Sequence, residues 1–270
     1  MIPVTHFNLE ITNLCNQRCV YCFNNSGPMA RKGELSTESW RSFLEQQVEH
    51  GLKSVHVTGG EPFVNSKAIE LIGAAQELGL ITSVLSNGYQ VPELVEHFKD
   101  QFKKLSVVQI SLDSARPEHH DARRGKTGAW RQALAAIRAL RRAGVPCEIS
   151  CTVSQENLGD LERLARFCHR LALKLIVRPL VASGRGKGTS LEPVHEVSFR
   201  ELLAEVERQN PGTVVCDRFC YVPDHVLFDS KAREKGIVTV LPNGKFRAGR
   251  VFFPQINREF VSVPEMLAAA

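Results

Sequence analysis

The regular alternation of short strand-like runs with helical stretches is the feature that most constrains the fold. Strands are predicted over residues 7–12, 54–58, 81–86, 107–112, 146–153 and 174–178. Helices are predicted near residues 37–50, 66–78, 92–102, 129–143, 157–170 and 196–209. Repeated strand–helix units form parallel α/β sheets with right-handed crossovers. Six units favour an open, partial (β/α)6 barrel of the TIM type, although periodicity alone does not separate it from a doubly wound sheet.

The chain changes character beyond about residue 210. Residues 238–253 predict a β-hairpin, because Pro242-Asn243-Gly244-Lys245 supplies an Asn-Gly turn between two apolar runs. We therefore predict a barrel domain over residues 1–210 and a small C-terminal α+β appendage over residues 211–270.

Composition excludes several classes of protein. The 270 residues carry a net charge of +5, and the basic residues occur in short groups, so we expect no nucleic-acid partner. No apolar run is long enough to span a membrane, and the first residues lack an export signal. Cysteines cluster near the start, which favours a metal site in a reducing compartment. The expected location is the cytoplasm.

Three cysteines follow the first strand directly. Cys15, Cys19 and Cys22 have C-x3-C-x2-C spacing in a loop at the carboxyl end of that strand, where ligands bind in both candidate architectures. Thiolates are the usual ligands of iron–sulfur clusters, and three thiolates leave one of four irons open. The alternative is a zinc site closed by His6, His50 or His56. Cysteine spacing alone does not decide between them.

Other polar or glycine-rich segments end the next strands. Gly59-Gly60-Glu61-Pro62 ends the second strand, Ser86-Asn87-Gly88 the third and Ser111-Leu112-Asp113 the fourth, and Arg124-Gly125 lies before a predicted helix. Paired glycines permit close backbone approach, and Glu61 can accept hydrogen bonds from an ammonium group.

Together these motifs resemble the radical S-adenosylmethionine (SAM) superfamily over residues 7–186, including the aromatic Tyr21 before the last cysteine. The resemblance implies one 4Fe–4S cluster on Cys15, Cys19 and Cys22, with SAM bound beside it. It implies that Gly59, Gly60 and Glu61 hold the methionyl amino group and that Arg124 pairs with the carboxylate. The remaining expected cofactor contacts are Tyr21, Ser86 and Ser111, with Asn87 and Asp113 facing SAM or the substrate. We assign no acid–base catalytic residue.

Among members of that superfamily, the maturases of ribosomally made peptides have the most similar sequence motifs. The similarity includes Glu34-Leu35-Ser36, Ser183-Gly184-Arg185 after the sixth strand, and a hairpin like that of SPASM or twitch tails. Arg247-Ala248-Gly249 stands where such tails carry a cysteine, and no cysteine follows Cys220. The tail is therefore expected to lack an auxiliary cluster.

The resemblance implies an enzyme that cleaves SAM to a 5′-deoxyadenosyl radical and abstracts hydrogen from a substrate. A ribosomally made peptide is the expected substrate, paired with an exposed edge of the hairpin. The alternatives are a viperin-like nucleotide dehydratase, a small-molecule or sugar dehydrogenase, and a binding module without activity. The expected electron donor is of the flavodoxin or ferredoxin type. Because the chain begins almost at its first strand, a peptide substrate is expected to be recognised by the tail or by a separate leader-binding protein.

Overall fold

The computed structural model describes residues 5–29, 33–180, 183–187, 191–216, 238–248 and 259–260. Its strands are β1 (His6–Glu10), β2 (Ser54–Thr58), β3 (Ile81–Ser86), β4 (Val107–Ser111), β5 (Cys147–Val153), β6 (Leu175–Pro179), β7 (Val214–Cys216), β8 (Val238–Val240), β9 (Phe246–Ala248) and β10 (Glu259–Phe260). Its helices are α1 (Thr37–Glu49), α2 (Ala68–Glu77), α3 (Val91–His97), α4 (Lys99–Lys103), α5 (Pro117–Arg124), α6 (Ala129–Ala143), α7 (Leu161–Arg170) and α8 (Glu196–Gln209).

All the described strands belong to one sheet, in the order β10-β9-β8-β1-β2-β3-β4-β5-β6-β7. The run from β8 through β7 is parallel, and it forms a half-barrel with helices on its outer side. The predicted partial TIM-type α/β fold is confirmed. The sheet is wider than the six predicted strands, because β7 extends it beside β6 and β8 extends it beside β1.

The two faces of the parallel strands differ in polarity. Residues such as Phe7, Val57 and Ile149 belong to the apolar core shared with the helices. Alternate residues such as Asn8 and Thr152 line a cavity on the inner side. Since side chains in a strand alternate between faces, this pattern places a polar wall inside the half-barrel.

Helix α6 matches its predicted bounds and ends at Gly144, which adopts the left-handed conformation (φ 72°) that favours glycine at helix ends. The helix predicted near 92–102 is divided into α3 and α4 at Phe98, which has non-helical dihedral angles. A 3-10 turn, Gln155–Asp160, precedes α7. Helix α5 was not predicted: its buried side chains are all polar, so it shows no hydrophobic periodicity (His120, Arg123, Arg124).

The predicted hairpin turns between β8 and β9, with Leu241 N–H donating to the Lys245 carbonyl at 2.8 Å. Strand β8 also pairs with β1, and β9 pairs with β10. The expectation of an exposed hairpin edge is therefore wrong, because both strands already have partners. Residues 249–253 of the predicted hairpin lie outside the described part of the chain. The domain boundary near residue 210 stays a prediction.

Within the described ranges, no helix is both long enough and apolar enough to cross a membrane.

Candidate active site

The loop that follows β1 carries the three cysteines and is held through its backbone by the loop after β2 and by the end of α5. Glu61 N–H donates to the Leu14 carbonyl at 2.8 Å, and Val20 N–H donates to the Arg123 carbonyl at 3.0 Å. Cys15 N–H closes the loop on itself by donating to the Gly27 carbonyl at 2.8 Å. Backbone contacts of this kind fix where each cysteine stands.

Glycines make these close approaches possible. A Cβ on Gly60 would stand 2.7 Å from the Leu14 carbonyl carbon, and one on Gly59 would stand 2.5 Å from the Thr12 carbonyl oxygen. A Cβ on Gly125, which ends α5 at φ 59°, would stand 3.0 Å from the Arg18 carbonyl carbon. Glycine is therefore required at these positions because a side chain would clash with the backbone of the cysteine loop. The sequence alone does not show this contact.

Each of the three sulfur atoms has an N–H donor nearby. Gln17 N–H lies 3.4 Å from the Cys15 sulfur, and Ser26 N–H lies 3.3 Å from the Cys22 sulfur. The Arg124 guanidinium lies 3.8 Å from the Cys19 sulfur. Burial raises the pKa of Cys15 to about 12, so this thiol is protonated until a metal ligates it. The donor set suits thiolate ligands, because such hydrogen bonds stabilise and tune ligating sulfur.

The arrangement does not fit a single zinc ion. Among the described residues, no three His, Cys, Asp or Glu side chains are close enough to hold one metal ion. Zinc requires its ligands to converge on one point. The candidate histidines bond elsewhere: the Nδ1 atoms of His6 and His56 lie 2.8 Å from the hydroxyls of Ser54 and Ser83. Three thiols on one loop, each beside an N–H donor, instead fit a cluster that has one open iron.

Glu61 lies just after β2 and is only 2% exposed. The carboxylate accepts hydrogen bonds from the Ser86 hydroxyl at 2.8 Å and from Asn87 N–H at 2.6 Å. Burial raises the pKa of Glu61 to about 7, although these hydrogen bonds act in the opposite direction. A buried carboxyl group that faces a cavity and titrates near neutrality favours a cationic ligand.

A buried ion pair lies beside Cys19. The Arg124 Nε and Nη2 atoms lie 3.0 and 3.1 Å from the two Asp113 carboxylate oxygens. The Tyr21 hydroxyl donates to the same carboxylate at 2.5 Å, and Thr152 N–H donates at 3.0 Å. Burial acts to raise the pKa of Asp113, but Arg124 and Arg123 hold it below its ordinary value.

This network changes the expectation for Asp113. The side chain lies behind the cavity wall rather than on it, because its oxygens are occupied by Tyr21, Arg124 and Thr152. It therefore positions Arg124 and Tyr21, both of which line the cavity. The sequence motif gave no indication of this indirect role.

One cavity of about 270 Å³ brings most of the predicted residues together. Its wall includes the following predicted residues: Cys15, Cys19, Tyr21, Cys22, Gly59, Gly60, Glu61, Ser86, Asn87, Ser111 and Arg124. The motifs do not predict the rest of the cavity wall, which the strands of the half-barrel supply (Asn8, Glu10, His56, Ser150, Thr152, Arg178). Polar residues alternate with apolar core residues along these strands, and this alternation could have indicated a polar inner face.

Comparison with known proteins places the site in a family. The profile of the radical SAM superfamily matches residues 9–168. An AdoMet-dependent heme synthase of Methanosarcina barkeri is 34% identical over 231 residues, which cover 84% of this chain and 65% of that protein. A PqqA peptide cyclase of Rhizobium meliloti is 28% identical over 229 residues, which cover 83% and 60%.

Solved structures agree on the fold. SuiB of Streptococcus suis, bound to its precursor peptide SuiA, matches 90% of this chain and 58% of its own with a TM-score of 0.72 at 16% identity. The chain spans between about half and two thirds of the relatives named here. The family profile covers more than half of the chain, including the cysteine loop and the ends of β2, β3 and β4. The chain belongs to the radical SAM superfamily.

Proposed function

We propose that this chain is an enzyme that cleaves SAM reductively and uses the resulting radical to abstract hydrogen from a ribosomally made peptide. The observation that carries the proposal is the single cavity shared by the three cysteines, the Glu61 carboxylate and the Arg124 guanidinium. The wall thus offers an anionic group close to Cys15 and a cationic group beside Cys19, as a zwitterionic methionyl group requires.

Cys15, Cys19 and Cys22 would hold one 4Fe–4S cluster, with the fourth position left for the substrate SAM. The bound cofactors supply the one-electron chemistry that breaks a carbon–sulfur bond of SAM and yields methionine and a 5′-deoxyadenosyl radical. A flavodoxin- or ferredoxin-type donor would supply the electron. The protein's part is to bind, orient and exclude water.

The SAM contacts are assigned by charge and position. Glu61, with Gly59 and Gly60, would receive the amino group, and Arg124 would receive the carboxylate while Asp113 holds it in place. The remaining contacts would come from side chains on the same wall: Tyr21, Ser86, Asn87 and Ser111. Arg124 keeps its orientation without a ligand, because its ion pair with Asp113 is buried.

The pKa of Glu61 gives a pH-dependent prediction. Below about pH 7 the free protein carries Glu61 protonated, so binding an ammonium must release a proton. We expect the dissociation constant of SAM to rise about tenfold for each pH unit below 7 and to level off above it. Glu61→Gln should bind SAM weakly and lose this acid dependence. Equilibrium binding of SAM to the cluster-loaded protein from pH 5.5 to 8 measures both, and an unchanged acid dependence in the variant would place the titrating group elsewhere.

Several relatives support a peptide substrate. Besides the PqqA peptide cyclase, the proteins AlbA and SkfB of Bacillus subtilis are named for bacteriocin biosynthesis and killing-factor maturation, each at 28% identity.

The cavity size also favours a substrate that enters by one side chain. Pockets for whole drug-sized ligands run from roughly 300 to 1,000 Å³, and about 270 Å³ must here accommodate part of SAM as well.

One observation favours a second candidate, a step in heme synthesis. The relative with 34% identity is an AdoMet-dependent heme synthase, and a second one, from Nitratidesulfovibrio vulgaris, is 31% identical over 72% of this chain. The two candidates differ in the substrate that should stimulate SAM cleavage.

A single assay tests the choice. Reduced, cluster-loaded enzyme is incubated with SAM and, separately, with a short peptide encoded beside its gene, an iron tetrapyrrole and each ribonucleoside triphosphate. We expect the peptide alone to stimulate 5′-deoxyadenosine formation and to change in mass. Stimulation by the tetrapyrrole with a modified product would establish the second candidate, and a dehydrated nucleotide would support the viperin-like alternative. A peptide with its modifiable side chains replaced by alanine is the control.

A further inference from the structure

The Ser183-Gly184-Arg185-Gly186 segment after β6 has no role in the proposed reaction, yet it lies directly on the cysteine loop. Gly184 opens a 3-10 turn, Gly184–Gly186, with φ 56°. A Cβ there would stand 2.6 Å from the Phe23 carbonyl carbon, so only glycine permits this approach. The contact is backbone against backbone and leaves no side chain free to adjust.

Arg185 continues the contact with its backbone and its side chain. Its N–H donates to the Cys22 carbonyl at 2.9 Å, and its Nε–H donates to the Cys19 carbonyl at 2.9 Å. Its Nη1 donates to the Asn25 side chain at 3.1 Å, which anchors the guanidinium at a second point. One residue therefore bonds to two of the three cysteines at once.

We propose that Gly184 and Arg185 form a clamp that positions Cys19 and Cys22 and that the Arg185 charge raises the reduction potential of the cluster. The inference rests on the proposed iron–sulfur site. Fixing both carbonyls limits how far the two cysteines can move. A positive charge bonded to the backbone of a ligating cysteine favours the state that carries one more electron, and net charge is one of the factors that set cluster potentials. Arg185 is thus a positioning residue rather than a catalytic one.

The test compares three variants of the full chain after anaerobic reconstitution. Arg185→Met removes the charge and the side-chain hydrogen bonds, whereas Arg185→Lys keeps the charge. Arg170→Met removes a charge from the exposed end of α7 and serves as the control. The readouts are the rate of iron release to a chelator, the midpoint potential by EPR-monitored titration, and amide hydrogen exchange of residues 19–25 in the metal-free protein.

We expect Arg185→Met to release iron about tenfold faster, since losing a partner of a metal ligand weakens metal binding by at least that factor. Its midpoint potential should fall, and exchange of residues 19–25 should accelerate before any metal is added. Arg185→Lys should restore the potential, and Arg170→Met should match the wild type throughout. Wild-type values for Arg185→Met in all three readouts would overturn the clamp. Failure of the wild type to take up a cluster would instead refute the proposed function.

Discussion

Replacing Cys15, Cys19 and Cys22 together by alanine is expected to abolish both the cluster absorbance and 5′-deoxyadenosine formation. Each sulfur lies beside an N–H donor at the wall of the same cavity. A cluster without thiolates has no bonds to the protein. Iron content, visible absorbance and product formation after anaerobic reconstitution provide the measurement.

The matched control for this experiment is the Cys216→Ala, Cys220→Ala double variant. Cys216 is buried at the end of β7, and Cys220 lies outside the described residues. Two cysteines alone are too few for a site of the usual four-cysteine kind, so this variant should keep the wild-type iron content. Half the iron in the control would reveal a second cluster, and full iron in the triple variant would refute the assignment.

Gly60→Ala should destabilise the protein even without metal. The new Cβ would stand 2.7 Å from the Leu14 carbonyl carbon and 3.0 Å from that of Asn13, and backbone cannot rotate away as a side chain can. The two loops must separate, which breaks the hydrogen bond between Gly60 N–H and the Thr12 carbonyl at 2.7 Å. We expect the free energy of unfolding to fall by about 3 kcal/mol, and reconstituted iron to fall with it.

Gly73→Ala is the matched control, with an effect of opposite sign. Gly73 lies inside α2, and nothing stands within 4 Å of the position that its Cβ would take. Alanine in a helix interior is favoured over glycine by about 1 kcal/mol, so this variant should be slightly more stable. Urea unfolding of the metal-free proteins measures both changes. Equal stability of the two variants would show that contact with the cysteine loop is not what requires glycine at position 60.

The strands and the long helices could be predicted because they bury apolar residues at regular spacing. Strands β2 and β3 and helix α6 match their predicted bounds. The elements that were missed lack that signal. Helix α5 buries His120, Arg123 and Arg124 instead of apolar residues, and β7 has only three residues. No local pattern in the sequence shows that β8 pairs with β1, because the two strands stand at opposite ends of the chain.

The candidate site could be predicted where motifs stand at strand ends, since parallel strands bring those ends to one edge. The contacts by which one residue positions another, or makes room for it, could not be predicted. Asp113 holds Arg124 and Tyr21 through a buried network, and Gly125 makes room for Arg18. Such relationships depend on contacts between segments far apart in sequence, and spacing within one motif carries no information about them.

The pairing of β1 with β8 also bears on how the protein is made. Synthesis runs from the first strand to the last, so β2 through β7 leave the ribosome while one side of β1 still lacks its neighbour. Bare strand edges recruit other chains, and the cysteine loop follows immediately after this one. A nascent chain interrupted before residue 238 would therefore carry the three cysteines beside an unprotected edge. In this topology, protection of the strand that carries the cysteine loop waits for the hairpin to be made.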